Sequence, residues 1–155
     1  MQNAAFVYLS ARQYDRAINI LNEIIQQQPS IRGRLASRFL LPAYRAKGDY
    51  VAAIQIEEEN DPVRGAALRK AYQARQESGY WSKHLEFSKE FPSNLVWLGT
   101  LHARTGDYAA ALTDLEQAAE AVPTQLAFEI NREPAFDPLR TSTAFQNVRK
   151  KLGFK

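Results

Sequence analysis

The stretch Leu95 to Pro123, LVWLGTLHARTGDYAAALTDLEQAAEAVP, decides the fold. Leu98, Gly99 and His102 fall on one helical face before Thr105-Gly106-Asp107, and Ala111, Leu115 and Ala118 fall on one face after it. The reading is two amphipathic helices folded back on each other at a glycine turn and closed by Pro123. Small residues let the two backbones approach, and large ones fill the gaps between successive pairs.

The same arrangement opens the chain. Ala5 and Tyr8 stand where Gly99 and His102 stand, Ala17, Leu21 and Ile24 where Ala111, Leu115 and Ala118 stand, and Pro29 where Pro123 stands, all at an offset of 94. This order of small and bulky residues around a turn resembles the tetratricopeptide repeat, whose period is ~34 residues. The resemblance implies an all-α fold: a right-handed α-α superhelix, or solenoid, of about four helical hairpins with a C-terminal capping helix. It also implies a non-catalytic scaffold for protein-protein interaction.

Between these copies the pattern degrades. Ser30 is expected to cap a helix running through Arg34, Phe39 and Tyr44 to a stop at Lys47-Gly48-Asp49, with a kink or local break near Phe39 caused by Pro42. Tyr50, Ala53 and Ile54 begin its partner. Glu57 then sits where the other copies hold leucine, so either the packing differs there or the helix ends early. Asp61-Pro62 is a good helix start. The helix it opens, with Ala66, Ala67, Ala71 and Tyr72 on one face, is expected to end near Glu77-Ser78-Gly79. Tyr80, Trp81, Leu85 and Phe87 drive a shorter helix stopping around Phe91-Pro92, and Ser93 or Asn94 caps the next.

After Pro123 the prolines at 134 and 138 forbid a long helix, leaving a short one around Leu126 to Ile130 and an irregular crossing. Ser142 caps a last helix whose buried stripe is Phe145, Val148 and Leu152, with Phe136 and Leu139 packing under the preceding hairpin. The residues Ala67-Leu68-Arg69-Lys70-Ala71-Tyr72, Gly79-Tyr80-Trp81 and, above all, Phe136-Asp137-Pro138-Leu139-Arg140 resemble the C-terminal part of certain bacterial regulators. In these, tetratricopeptide repeats follow a TolB-like segment and a winged-helix, CadC-type DNA-binding domain. The resemblance implies a regulatory or sensing arm of a larger signalling or transcription-regulatory protein. The expected organisation is a single domain over residues 1–155, with hairpins to 123 and a capping segment over 124–155.

Composition removes several classes of function. There is no cysteine, which excludes thiolate nucleophiles, disulfides and cysteine-bound metals. The net charge of +3 is spread among interspersed acids and bases, without the basic stripe that nucleic acid requires, so no direct nucleic-acid contact is expected. No apolar run approaches the ~20 residues of a membrane span. A soluble segment is expected, cytoplasmic in preference to periplasmic and cut from a longer chain.

In a curved stack the first helix of each pair lines the groove. Gln2, Phe6 and Leu9, then Arg38 and Arg45, then Val96, Thr100 and Arg104 are the expected lining, with Phe6, Leu9, Arg38, Arg45, Thr100 and Arg104 the candidate partner-binding residues. The arginines suit an acidic peptide or a terminal carboxylate, because guanidinium grips carboxylate in a two-pronged fashion. A small acidic ligand near Arg38, Arg45 and Arg104 is the alternative. Where related peptide clamps carry paired asparagine and lysine, this chain has Phe6, Pro42 and Thr100. His102 is expected to be buried and hydrogen-bonded, His84 to pack beside Trp81, and Trp81, Trp97, Tyr80 and Phe87 to be core. Glu57, Glu58 and Glu59 point around their helix and read as a solvated end. No catalytic, metal or cofactor site is expected.

Overall fold

The computed structural model describes residues 2–90 and 92–154. The expected behaviour of Met1 and Phe91, and of the Gln2 side chain, lies outside the described residues. Among those residues the chain is helical with no strand. It is the all-α, solenoid-type succession of helical hairpins that the repeat pattern implies. The helices group into two compact units, Met1–Tyr80 and Trp81–Lys155.

In the first unit α1 (Gln2–Ser10) packs on α2 (Tyr14–Gln27). Next come a 3-10 turn (Pro29–Ile31), α3 (Arg32–Leu35), a π-helical turn (Ala36–Leu40) and α4 (Leu41–Lys47), which form one winding path. Proline explains the irregular middle. Pro42 has no N–H to offer the carbonyl one turn back and its ring crowds that turn, so the ladder widens locally. The expected kink at Phe39 is therefore a π-turn. Ser30 does not act as a cap; it lies inside the 3-10 turn and α3 begins without a side-chain cap. Gly48, at φ +83°, ends α4, and the Asp49 carboxylate accepts from the Ala52 N–H to start α5 (Tyr50–Asn60). Ala5, Leu9, Ala17, Leu21, Leu35 and Leu40 are among the buried residues of the core these helices share.

Helical geometry runs from Pro62 to Ser88, here called α6, but it is broken at Arg75 (φ −140°, ψ 18°) and Gln76 (φ 52°, ψ −139°). The expected turn at Gly79 thus comes earlier. Gly79 lies inside the second arm, where a Cβ would sit 2.0 Å from the Ala71 carbonyl oxygen. Its missing side chain is what permits so close a fold-back. The strain of the turn falls on Gln76, whose backbone region side chains avoid at a cost of about 1–3 kcal/mol. The Asp61 carboxylate caps the first arm by accepting from the Val63 and Arg64 N–H groups.

In the second unit Asn94 caps α7 (Leu95–Arg104) and Asp107 caps α8 (Tyr108–Ala121), each accepting from the N–H three residues on. The two helices pack on each other; α8 also supports α9 (Pro123–Glu129) and α10 (Thr143–Lys151). α9 starts earlier than expected because Pro123 takes the first helical position, where its missing N–H is no loss. The 3-10 stretch Pro134–Leu139 buries Phe136 and Leu139 with Leu115, Ala118, Phe145 and Val148, and Ser142 caps α10 through the Phe145 N–H. No described helix is long and apolar enough to cross a membrane.

Candidate functional site

Successive helical residues point about 100° apart, so three adjacent glutamates must face three directions. On α5 they meet three different arginines. Glu57 pairs with Arg45 of α4, Glu58 receives both Nε (2.6 Å) and a terminal nitrogen of Arg69 on α6, and Glu59 takes Arg32 of α3 at 2.7 Å. Reading these glutamates as a solvated end is corrected: only Glu59 is exposed, and Glu57 is buried. The Arg69 hydrogen bond holds the Glu58 carboxyl below the usual range.

The inner pair is a closed triangle. Arg45 donates from Nε to the Tyr80 hydroxyl at 2.7 Å and from its terminal nitrogen to Glu57, and the hydroxyl donates to the same Glu57 oxygen at 2.9 Å. The Arg45 and Glu57 side chains keep 16% and 9% of their exposure. Burial alone would weaken the charge on Arg45, but the neighbouring Tyr80 oxygen and Glu57 carboxylate outweigh it and raise its pKa. Burial pushes the Tyr80 hydroxyl far above the ordinary tyrosine value, so it stays a donor. The Tyr50 ring leans on Tyr80 at 5.0 Å, and its hydroxyl donates to Glu77.

These pairs redistribute the candidate residues. Arg45 does not line open surface; it holds an internal carboxylate. Leu9 is buried in the first core and Phe6 is half-buried on α1. Arg38 is exposed on the π-turn, its guanidinium 5.4 Å over the Phe39 ring. In the second unit Val96 and Thr100 are buried, the Thr100 hydroxyl donating to the Val96 carbonyl at 3.0 Å. Arg104 lies 4.9 Å over the Trp81 ring and donates to Glu133 at 2.7 Å, an oxygen that also caps the 3-10 stretch through the Ala135 N–H. Two of the three arginines proposed for an acidic ligand thus already carry a carboxylate of their own unit.

His102 Nδ1 stands 2.6 Å from Asp114: the imidazole is hydrogen-bonded as expected, but half-buried and not buried. His84 packs at 6.0 Å from Trp81 and 5.7 Å from Trp97. Trp81 and Tyr80 are buried; Trp97 and Phe87 are half-buried. Sequence reasoning missed Asp114, Glu133 and the partners of the three glutamates. Only Glu57 carried a usable signal, as an acid at a leucine place twelve residues from an arginine.

Two stretches match family models described as Tetratricopeptide repeat, one over residues 1–30 and one over residues 92–124. No curated protein and no solved structure matches the chain. The two matched stretches coincide with the α1–α2 hairpin and the α7–α8 hairpin, and they support a tetratricopeptide-repeat protein.

Proposed function

We propose that this chain is a non-catalytic protein-binding scaffold, the regulatory or sensing arm of a larger bacterial signalling or transcription-regulatory protein. Tetratricopeptide repeats in general mediate protein-protein interaction, and the two matched hairpins carry that part of the reading. The regulatory role rests on the resemblance of Phe136-Asp137-Pro138-Leu139-Arg140 and its following helix to regulator tails. The observation that weighs most against chemistry is how the carboxylates are used. Glu57, Glu58, Glu59, Asp114 and Glu133 are engaged with cationic or imidazole partners of their own unit, holding helices together.

For the partner, the first unit offers Arg38. It is exposed and raised on a π-turn, a distortion often found at functional positions, and Phe6 adds half-buried apolar surface nearer the N-terminus. The chemistry that fits is a peptide carrying an acidic side chain or a free terminal carboxylate. The test is a peptide array of acidic and neutral sequences, followed by calorimetric titration of the best binder. Arg38→Ala should weaken that binder about tenfold or more, the ~1.4 kcal/mol of one charge-assisted hydrogen bond, while Arg34→Ala leaves it unchanged. Failure of the wild-type chain to select acidic peptides, or equal binding by Arg38→Ala, would overturn the assignment.

A further inference from the structure

Three hairpins turn through a residue in left-handed backbone, Arg12, Gly48 or Gly106. The third hairpin is built differently. Its arms are joined by Arg75 and Gln76 alone, and Gln76, at φ 52° and ψ −139°, occupies backbone space that suits glycine. The surrounding run Ala71-Tyr72-Gln73-Ala74-Arg75-Gln76-Glu77 contains no turn residue and consists mainly of good helix formers. Locally, then, the sequence asks for a straight helix, and the fold bends it. What opposes straightening lies in the first unit: Glu77 accepts from Tyr50, Tyr80 closes the triangle with Arg45 and Glu57, and Gly79 sits against the Ala71 carbonyl.

We propose that Arg75–Gln76 is an exchange hinge, and that this chain pairs with a second copy of itself by letting Pro62 to Ser88 run on as one continuous helix. Everything from Glu77 onward is then handed to the other copy. Tyr80 and Glu77 of each chain meet Arg45, Glu57 and Tyr50 of the other, so the closed and exchanged forms make the same contacts except at the hinge. The strain at Gln76 exists only in the closed form. Its release, once per chain, is the term that favours pairing against the entropy lost when two copies join; short connections under strain are where such exchange occurs.

The experiment is size-exclusion chromatography with light scattering on the purified chain, before and after it is warmed through its unfolding transition at high concentration and cooled. Gln76→Gly relieves the closed form, and Arg75→Ala with Gln76→Ala favours the straight helix. The wild type should gain a dimer after the cycle. The double alanine variant should raise the dimer-to-monomer ratio about tenfold or more, and Gln76→Gly should lower it by a similar factor, each the equivalent of ~1.4 kcal/mol. The isolated dimer should persist on dilution, because its separation requires unfolding. Monomer alone in all three proteins, an equal dimer fraction in all three, or a dimer that dissociates at once on dilution overturns the proposal. Should a substitution prevent folding, hydrogen exchange on the wild-type protein decides. The helical ladder is interrupted at Arg75–Gln76 in the closed form and runs on in the exchanged one, so the amides around this break should exchange about tenfold more slowly in the dimer. Equal exchange in both species, or a wild type that yields no dimer, overturns the proposal.

Discussion

Glu57 stands at the place that Leu21 and Leu115 fill in the matched hairpins, and like them it is buried. The charge is tolerated because Arg45 and Tyr80 were placed to receive it. Removing one member of such a set leaves another charge buried without its partner, which costs more than removing the whole set. Glu57→Leu alone should therefore lower stability by about 3–5 kcal/mol. The triple variant Arg45→Met, Glu57→Leu, Tyr80→Phe should recover most of that loss, as read by chemical denaturation. If the single variant is as stable as the wild type, the triangle does not hold the fold as described. At this scale the sequence was only half legible. An acid at a leucine place announced that something unusual happens, but its partners lie 12 and 23 residues away and obey no local spacing. Caps were legible where they are local: Asp61, Asn94 and Ser142 accept from N–H groups two or three residues on, whereas Ser30 does not cap and the caps at Asp49 and Asp107 hid inside stretches read only as turns. His102 was legible as a satisfied histidine, though the Asp114 that satisfies it was not.

Among elements, the third hairpin shows where pattern reading loses its grip. Gly79 looks like a helix terminator because glycine usually ends helices, yet here its value is the absent Cβ beside the Ala71 carbonyl. Close approach and chain reversal are written with the same residue, and only the distance between helices tells them apart. Gly79→Ala should destabilise the protein by about 1–3 kcal/mol or more, since backbone atoms cannot make way. Gly33→Ala meets nothing within 4 Å and should stabilise it by about 0.5–1 kcal/mol through helix propensity. Paired thermal melts of the two variants check both signs; a neutral Gly79→Ala would mean that the arms are further apart. Pro42 was easier to read, because a missing N–H acts on its own helix whatever surrounds it. The π-turn that carries Arg38 follows from that one residue.

At the level of the whole molecule, the hairpins and the closing tail follow from helical periodicity and proline placement. The passage from the first compact unit to the second, at Tyr80–Trp81, falls inside a helix with no linker composition to mark it. Each unit has its own core, and in the second Phe136 is fully buried beneath the α7–α8 hairpin. Phe136→Ala should cost about 3–5 kcal/mol and speed amide exchange across α7 and α8; unchanged protection there would show that the tail does not close the hairpin. A chain assembled from look-alike hairpins also faces the hazard that the wrong ones dock, a common failure of repeat proteins. Here α5 demands three guanidinium groups, one each from α3, α4 and α6, whereas α2 and α8 offer leucine at the place of Glu57. A hairpin stacked out of turn would bury Glu57 without Arg45 and strand Arg32 and Arg69. The least repeat-like residues of the chain thus record the order in which its repeats must be assembled.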